Sequence, residues 1–280
     1  MERISATTQE LLRRIQNARQ DSPSAPDEKQ QTQTYECPIC RDECVIVDWE
    51  RNAARQCECV QVKRVNHVLQ HSKIGAEFRA KTFDNFIATN SDIRIQRAFK
   101  MARAYVESFD EIRSAESNSI GFVGAVGVGK THLASAVSNA LLAKGVGVRY
   151  FNFVTGFKEM FARYDQGGGA VDEVRQALFA ADVLFLDDVG KGKVGRERGV
   201  VELTKGVVDE LYAIVNYRYD NRKPIIWTSE QYEDLLDVLD DSGATASRLF
   251  QMSRGNIADM MYRKGEEITS LNRRLKEVAK

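Results

Sequence analysis

One octapeptide constrains the fold of this 280-residue chain more than any other stretch of its sequence. Residues 124–131 read GAVGVGKT, which fits the pattern G-x-x-x-x-G-K-[ST]. The pattern needs a buried strand before it and a helix after it, because backbone N–H groups and the positive helix N-terminus must converge on phosphate oxygens. SIGFVG precedes the octapeptide and KTHLASAVSNALLAKG continues from its last residues. The octapeptide therefore predicts a nucleoside triphosphate site at the edge of a parallel sheet.

The side chains of the octapeptide have distinct expected roles. Lys130 can reach the β- and γ-phosphates of a bound nucleotide, and Thr131 can ligate Mg²⁺ through its hydroxyl. We expect ATP or GTP as the ligand, with Mg²⁺ as its counterion. The predicted nucleotide-binding residues are Gly124, Ala125, Val126, Gly127, Val128, Gly129, Lys130, Thr131 and His132.

Two adjacent carboxylates, Asp187 and Asp188, end the apolar run VLFLDDVG. Like charges at the end of a buried strand repel each other, and an uncompensated buried ion costs several kcal/mol. Magnesium bound to a nucleotide supplies the missing positive charge. Asp187 is predicted to hold Mg²⁺ and Asp188 to orient the attacking water, unless one of the two merely caps the next helix. Asp188 is one methylene shorter than the Glu common at this position, so we expect slow hydrolysis.

A second strand, PIIWTS, ends in polar residues that face the same predicted edge. In many ATPases a polar side chain on this strand contacts the γ-phosphate or its water. Thr228, Ser229 and Glu230 are all candidates, and the sequence does not choose among them. The alternative is a simple helix cap for TSEQYEDLL.

Two arginines complete the predicted nucleotide site. Arg248, on a short helix in GATASRLF, is a candidate finger that reaches the γ-phosphate of a neighbouring subunit. Arg263, in MMYRKG, is a candidate contact with the nucleotide of its own subunit. A single arginine is weak evidence by itself, because most arginines are surface residues.

From residue 119 onward the sequence alternates between strand-like and helix-like patterns. Such alternation predicts an α/β fold, with a parallel sheet flanked by helices on both faces. About 150 residues follow the octapeptide, and the sheet needs most of them, so we expect little or no helical lid. The predicted strands are SIGFVG, VGVRYFNF, VLFLDD, PIIWTS and GNIADMM, and the helices include SDIRIQRAFKMARAYVESF, TGFKEMFARYD, AVDEVRQALFAA, VVELTKGVVDELYAIVNYRYDN and EEITSLNRRLKEVA.

All five cysteines fall between residues 37 and 59. CPIC contributes Cys37 and Cys40, CEC contributes Cys57 and Cys59, and sixteen residues separate the two pairs. Two close pairs of thiolates can complete a tetrahedral zinc site. The predicted hairpin between the pairs, VIVDWERNAARQ, is too small to fold alone, so the metal would stabilise it. Alternative ligands are Cys44, His67 and His71.

The sequence predicts three regions. Residues 1–34 read as an amphipathic helix followed by a polar, proline-containing linker, either frayed or docked on a partner. Residues 35–70 form the predicted zinc module, and residues 71–280 the nucleotide-binding domain. The N-terminus carries acidic residues and is not a signal peptide, and no apolar run approaches the roughly 18 residues of a membrane span. We expect a cytoplasmic protein without a membrane partner.

These motifs together resemble those of the DnaC/DnaI-type helicase loaders of bacteria and their phages. The resemblance rests on CPIC…CEC, AEFRAKTFDNF, GFVGAVGVGKTHL, VLFLDDVGKGK and SRL, and covers roughly residues 35–265. It implies an AAA+ ATPase core that self-associates, binds single-stranded DNA and escorts a hexameric DnaB-type helicase onto it. It also implies that the N-terminal region contacts the helicase, that Arg248 matches the family's finger, and that Arg263 lies near a nucleotide-contacting YR.

Formal net charge is zero, so DNA binding has to come from local clusters. The basic, glycine-rich GKGKVGRERG directly follows the aspartate pair, although a solvated loop explains it equally well. FNFVTGFKEMFARY interleaves aromatic and cationic residues, but phenylalanines at helical spacing more often belong to a core. Phe83 and Phe86 are also expected in the core, near the adenine. The DNA candidates are Lys191, Lys193, Arg196, Arg198, Phe157, Lys158, Phe161 and Arg163.

Three other functions remain open at this point. A transposition helper ATPase of the IstB type shares the octapeptide and the sheet but generally lacks the cysteine module. A small-molecule kinase needs an arginine-bearing lid, which the sequence does not show. A nucleotide-binding adaptor with negligible turnover is compatible with Asp188.

Overall fold

The computed structural model describes residues 35–48, 51, 53–88, 92–162, 168–191, 203–230, 235, 239–267 and 271–272. The predicted N-terminal helix and linker lie outside the described residues, as do Arg163, Lys193, Arg196 and Arg198. The helix predicted over 266–279 lies mostly outside them too, and its described residues are not helical. The chain divides into two compact units, Met1–Arg64 and Val65–Lys280, which are described separately below.

The first unit contains the predicted hairpin. Strands β1 (Val45–Asp48) and β2 (Ala53–Gln56) pair antiparallel, with Val45 opposite Gln56 and Asp48 opposite Ala53. Helix α1 (Cys59–His71) follows, and the division between the units falls within it. The described apolar cluster of this unit consists of three buried cysteines with Ile46 and Cys59 packed against them.

The second unit is built on a five-stranded sheet in which every strand pair is parallel, as the alternating sequence predicts. The strand order is β4-β5-β6-β3-β7, so the strand that leads into the octapeptide is next to the edge. Every residue of β3 and β6 is buried, which fits a sheet covered by helices on both faces. The strands are β3 (Ile120–Gly124), β4 (Val148–Asn152), β5 (Val183–Val189), β6 (Ile225–Ser229) and β7 (Ile257–Met260).

Helices connect these strands, as expected for right-handed crossovers between parallel strands. Side chains cap two of them: Asp92 accepts a hydrogen bond from the N–H of Arg94, and Asn152 accepts from Val154 and Thr155. The helices are α2 (Ala76–Arg79), α3 (Ile93–Ile112), α4 (Lys130–Ala143), α5 (Phe153–Phe161), α6 (Gly168–Ala180), α7 (Lys205–Asp220) and α8 (Ala244–Met252).

Two apolar clusters cover the two faces of the sheet, and β5 shows how the sequence separates them. Val183 and Phe185 pack with α3 and α4 on one face, whereas Leu184 and Leu186 pack with α5, α7 and α8 on the other. The alternation follows from the two-residue period of a strand. Trp227 of β6 is fully buried on the second face and donates from Nε1 to Ser253 Oγ at 2.8 Å.

No described helix combines the length and the apolar character that crossing a bilayer requires. The described residues after Met260 contain no helix. The other residues after Met260 are not described, so the expected lack of a helical lid stays a prediction.

Candidate nucleotide and metal sites

The octapeptide forms a tight turn between β3 and α4, at the carboxyl end of the sheet. Gly129 has a φ of 108° and begins the helix, a conformation that a residue with a Cβ rarely adopts. A Cβ on Gly124 would lie 2.8 Å from backbone and side-chain atoms of Met260. Glycine is therefore required at both positions, and the loop can place backbone N–H groups around an anion.

Lys130 lies under this turn with only 6% of its surface exposed. Its Nζ donates to Gly124 O and Ala125 O, each at 2.9 Å. Burial lowers the pKa of Lys130, because a charged ammonium loses hydration there. Two neutral carbonyls do not compensate a full positive charge, so the site favours an anionic ligand such as a phosphate.

Asp187 accepts hydrogen bonds from three hydroxyl groups, which lie on β4, α4 and β6. Thr228 donates to its Oδ1 at 2.6 Å, Thr131 donates to the same oxygen at 3.1 Å, and Tyr150 donates to its Oδ2 at 3.2 Å. Burial raises the pKa of Asp187, and the charge of Asp188 adds to that rise. Thr131 and Asp187, the two predicted magnesium ligands, are therefore in direct contact, and their oxygens suit a hard divalent cation.

Asp188 is separated from Asp187 by a local change in backbone direction. Its φ is 61°, the register of β5 against β6 shifts between Leu186 and Val189, and its N–H donates to Thr228 Oγ1 at 2.8 Å. As a result Asp187 points into the sheet edge, whereas the carboxylate of Asp188 pairs with Lys191 Nζ at 3.2 Å. The two adjacent charges thus avoid direct repulsion.

The structure distinguishes the three candidates on β6 that the sequence left open. Thr228 bonds to Asp187 and Asp188, and Ser229 Oγ donates to Val189 O at 2.8 Å within the buried sheet edge. Glu230 alone of the three lines the cavity above the octapeptide, and its Oε1 lies 3.2 Å from Lys191 Nζ.

That cavity has a volume of about 360 Å³ and opens at the carboxyl end of β3, β5 and β6. Its wall combines three lysines and three carboxylates with the hydroxyl of Thr131, which is a chemistry suited to a metal–triphosphate complex. The residues that line it include Lys130, Thr131, His132, Asp188, Lys191 and Glu230.

His132 also connects helix α4 to the segment before α3. Its Nε2 lies 3.0 Å from Thr82 O and 2.9 Å from Asn85 Oδ1, and its ring meets Phe86 edge-on. Asn139, about two turns further along α4, donates to three carbonyls of the same segment. The acceptors are Phe78 O, Arg79 O and Lys81 O.

Asn139 is a contact that sequence reasoning missed, and no local pattern around it indicates a partner sixty residues earlier. Phe86 is buried and stacks on Phe99, and Phe83 packs against the same cluster, so both are core residues as expected. Phe157, proposed as a DNA contact, is also buried in the core beside Phe153.

The two predicted arginines are not among the described residues that line this cavity. Arg248 donates to Ala244 O at 3.1 Å and lies over the rings of Tyr212 and Tyr219. Arg263 is exposed, and its backbone N–H donates to Glu266. Their roles at a nucleotide stay predictions.

The four predicted zinc ligands come together in the first unit. The sulfur atoms of Cys37, Cys40, Cys57 and Cys59 all lie within 4.8 Å of one another. Tetrahedral Zn–S bonds of about 2.3 Å place sulfurs roughly 3.8 Å apart, so the cluster has the right size for the ion. Cys40 Sγ additionally accepts a hydrogen bond from the N–H of Cys44 at 3.3 Å.

The three alternative metal ligands are not members of this four-thiol cluster. Cys44 Sγ is 3.6 Å from Asp42 O and does not belong to the four-thiol cluster. His67 and His71 lie in the second unit, where their rings are 4.4 Å apart. Backbone N–H groups, that of Cys40 foremost, lower the pKa of the Cys37 thiol to about 7, whereas burial raises the pKa of the Cys59 thiol.

Comparison with known proteins shows the family of the chain. The family model described as IstB-like ATP binding protein matches residues 44–255. Protein YqaM of Bacillus subtilis (strain 168) is 35% identical over 211 residues, which is 75% of this chain and 64% of YqaM. The chain therefore spans less than two thirds of that relative.

A second relative from the same organism matches over most of its length. The phage-like element PBSX protein XkdC is 30% identical over 253 residues, covering 88% of this chain and 90% of XkdC. Among solved structures, the DnaC helicase loader superposes with a TM-score of 0.54 at 22% identity. That superposition covers 66% of this chain and 99% of the loader, and it shows a shared fold.

Proposed function

The chain belongs to the family of IstB-like ATP-binding proteins, and from this premise we propose that it is an ATP-dependent loader of a replicative helicase. In this proposal the chain binds a hexameric DnaB-type helicase and places it on single-stranded DNA in the bacterial cytoplasm. ATP binding and slow hydrolysis switch the chain between its helicase-bound and released states.

The contact between Thr131 and Asp187 beside the buried Lys130 carries the nucleotide part of the proposal. Lys130 would hold the β- and γ-phosphates once they displace its two carbonyl partners. Thr131 and Asp187 would hold Mg²⁺, which neutralises phosphate charge when bound. Asp188 lies on the wall of the same cavity, where its carboxylate pairs with Lys191.

The partners are proposed from the relatives and from the zinc module. A fold shared with a DnaC helicase loader and a relative from a phage-like element both fit a replication role, whether the gene is chromosomal or carried by a phage. We assign contact with the helicase to residues 1–70, and DNA binding and self-association to residues 71–280. Arg248 is the proposed finger toward the nucleotide of a neighbouring copy, with Arg263 as a contact in its own subunit.

A transposition helper ATPase is the second candidate, favoured by the name of the matching family model. Such a protein positions a transposase on duplex DNA rather than a helicase on a single strand. The cysteine cluster favours the loader, because IstB-type helpers generally lack it.

The proposal is tested by recovering partners of the full chain from a bacterial extract with ATP and Mg²⁺ present. A replicative helicase, identified by mass spectrometry, is the expected partner, and the chain should then promote unwinding by that helicase on a circular single-stranded template. Recovery of a transposase with duplex DNA would favour the second candidate. Recovery of neither would reject both.

Two variants separate nucleotide binding from assembly. Lys130→Ala should weaken ATP binding at least 100-fold in calorimetry, because the phosphates lose their buried cation, whereas Lys100→Ala on the exposed face of α3 should not change it. Arg248→Ala should keep ATP affinity but lose hydrolysis that self-association stimulates. Equal stimulated turnover in Arg248→Ala and the parent chain would remove the finger from the mechanism.

A further inference from the structure

Glu230 directly follows β6, and its carboxylate lines the cavity beside the octapeptide. Thr228 has both its donor and its acceptor capacity engaged, toward Asp187 and Asp188, and Ser229 donates within the sheet edge. Glu230 follows directly, lines the phosphate cavity and keeps 30% of its side chain exposed. Of the three strand-end residues, it is therefore the one with a side chain available to a bound substrate.

Asp188 is restrained on two sides. Its backbone has a left-handed φ of 61° and donates to Thr228 Oγ1, which fixes where the side chain begins. Its carboxylate is then held by Lys191 at 3.2 Å. With one methylene less than a glutamate, this side chain has little freedom to advance toward a water molecule in the cavity.

Lys191 joins the two acids. Its Nζ lies 3.2 Å from Asp188 Oδ2 and 3.2 Å from Glu230 Oε1, so a single ammonium is shared by both carboxylates. A carboxylate beside a triphosphate is repelled unless a cation accompanies it. Lys191 supplies that cation, and it reduces the charge of the two acids from −2 to a net −1 for the three groups together.

We propose that Glu230 is the general base for ATP hydrolysis in this chain, with Asp188 and Lys191 as positioning residues. The inference rests on the proposed ATPase function. Glu230 accepts a proton from water while the water oxygen bonds to the γ-phosphorus and the bond from that phosphorus to the β–γ bridging oxygen breaks. ADP and inorganic phosphate leave, and the proton passes from Glu230 to solvent, so atoms and charge balance.

This assignment explains an otherwise unfavourable arrangement. Glu230 brings a carboxylate next to a site that binds a polyanion, at a strand end where a neutral polar residue would bind phosphate with less repulsion. Its longer side chain starts from the neighbouring strand and reaches the cavity that the shorter, restrained Asp188 enters from β5. The longer side chain of Glu230 thereby compensates for the shorter side chain of Asp188.

The test is single-turnover hydrolysis of ATP by the full chain with Mg²⁺, with ATP affinity measured on the same samples. Glu230→Gln keeps size and hydrogen bonding but removes the base, so the rate should fall at least 100-fold. Its ATP dissociation constant should rise no more than twofold. Glu230→Asp keeps a shortened carboxylate and should lie between the parent and Glu230→Gln.

Two further variants complete the design. Glu116→Gln removes another glutamate that pairs with a cation, Arg222 at 3.1 Å, away from the cavity, and should hydrolyse ATP at the parental rate. Asp188→Glu in the Glu230→Gln background should hydrolyse ATP at least tenfold faster than Glu230→Gln alone, because the longer acid at position 188 can extend toward the attacking water.

The outcomes distinguish the assignment of Glu230 as the base from the proposed ATPase function itself. Parental turnover in Glu230→Gln, whether or not Asp188→Asn loses activity, would overturn the base assignment and leave the ATPase function intact. A parent chain that binds ATP without hydrolysing it would also overturn the assignment, while preserving nucleotide binding. A parent chain that binds no ATP would reject the proposed function itself.

Discussion

In residues 35–64 the described buried apolar side chains are three cysteines, whereas the sheet of residues 65–280 is covered on both faces by aliphatic and aromatic side chains. Strand β2 shows the contrast most clearly, since all four of its residues are exposed, while every residue of β3 is buried. The described part of the first unit buries too little apolar surface for a conventional core, whereas the second unit buries enough for one.

The difference indicates two mechanisms of stabilisation within one chain. The first unit would depend on a metal ion held by its four sulfur atoms, and binding of that ion would contribute folding free energy. The second unit depends on burial, and two of its buried ionisable groups, Lys130 and Asp187, lie at the carboxyl ends of the strands. Those groups reduce stability in the absence of a ligand, and they are the ones that the proposed function uses.

The largest expected effect comes from removing the metal. A strong chelator should unfold residues 35–64, because the module loses on the order of 10 kcal/mol of apparent binding free energy. Hydrogen exchange should lose protection in β1 and β2 but not in β3 or β5. Cys57→Ser should do the same, whereas Cys44→Ser, outside the cluster, should keep protection; equal protection with and without chelator would contradict a metal-stabilised module.

The next effect concerns a buried cation in the second unit. Arg218 on α7 is fully buried, and burial lowers its pKa to about 9. Arg218→Met should cost about 3–5 kcal/mol in urea unfolding, because several buried acceptors lose their donor. Arg222→Met, whose exposed side chain pairs with Glu116, should cost less than about 1 kcal/mol. The carbonyls that Arg218 bonds are those of Leu178, Ala181, Asp182 and Pro224.

Equal destabilisation by these two arginine variants would mean that burial does not dominate the stability of the second unit. Both units would then rely on polar links, and the first and second units would no longer differ in how they are stabilised.

A smaller effect is expected from overpacking the sheet. A Cβ on Gly121 would lie 2.3 Å from the ring of Trp227, so Gly121→Ala should destabilise the second unit by about 1–3 kcal/mol. Gly75→Ala meets nothing within 4 Å and has an ordinary φ of −67°, so it should be neutral within about 0.5 kcal/mol. Thermal unfolding of both variants checks the pair, and a neutral Gly121→Ala would indicate a loosely packed core.

The smallest effect concerns the ligand-free site. The folded chain holds the proton of Asp187 more tightly than the unfolded chain, because burial raises its pKa above the usual value of 3.8. The contribution of Asp187 to stability therefore falls as the pH rises from about 3.8 through the raised pKa, and the penalty is complete above it.

Asp187→Asn should remove this penalty and raise the melting temperature at neutral pH by about 2–4 °C, while abolishing Mg²⁺-dependent ATP binding. Asp259→Asn, at an exposed position, is the control for the same change of charge. A melting temperature that falls in Asp187→Asn at pH 7 would show that the ionised carboxylate stabilises the ligand-free chain.

The sequence by itself determined the features that are contiguous. The octapeptide, the aspartate pair and the two cysteine pairs each place their chemistry within a few residues, where spacing fixes geometry. The parallel sheet was also predictable, because alternating strand and helix patterns permit few other folds. The hairpin between the cysteine pairs formed where the pattern predicts it.

Only the tertiary structure decided which strand ends meet. Tyr150 and Thr228 reach Asp187 because β4 and β6 lie on either side of β5, an order that no local spacing specifies. The same order brings Glu230 to Lys191, thirty-nine residues away in the chain. Contacts at such separations depend on how two apolar faces pack against different helices, so they appear only when the whole sheet is assembled.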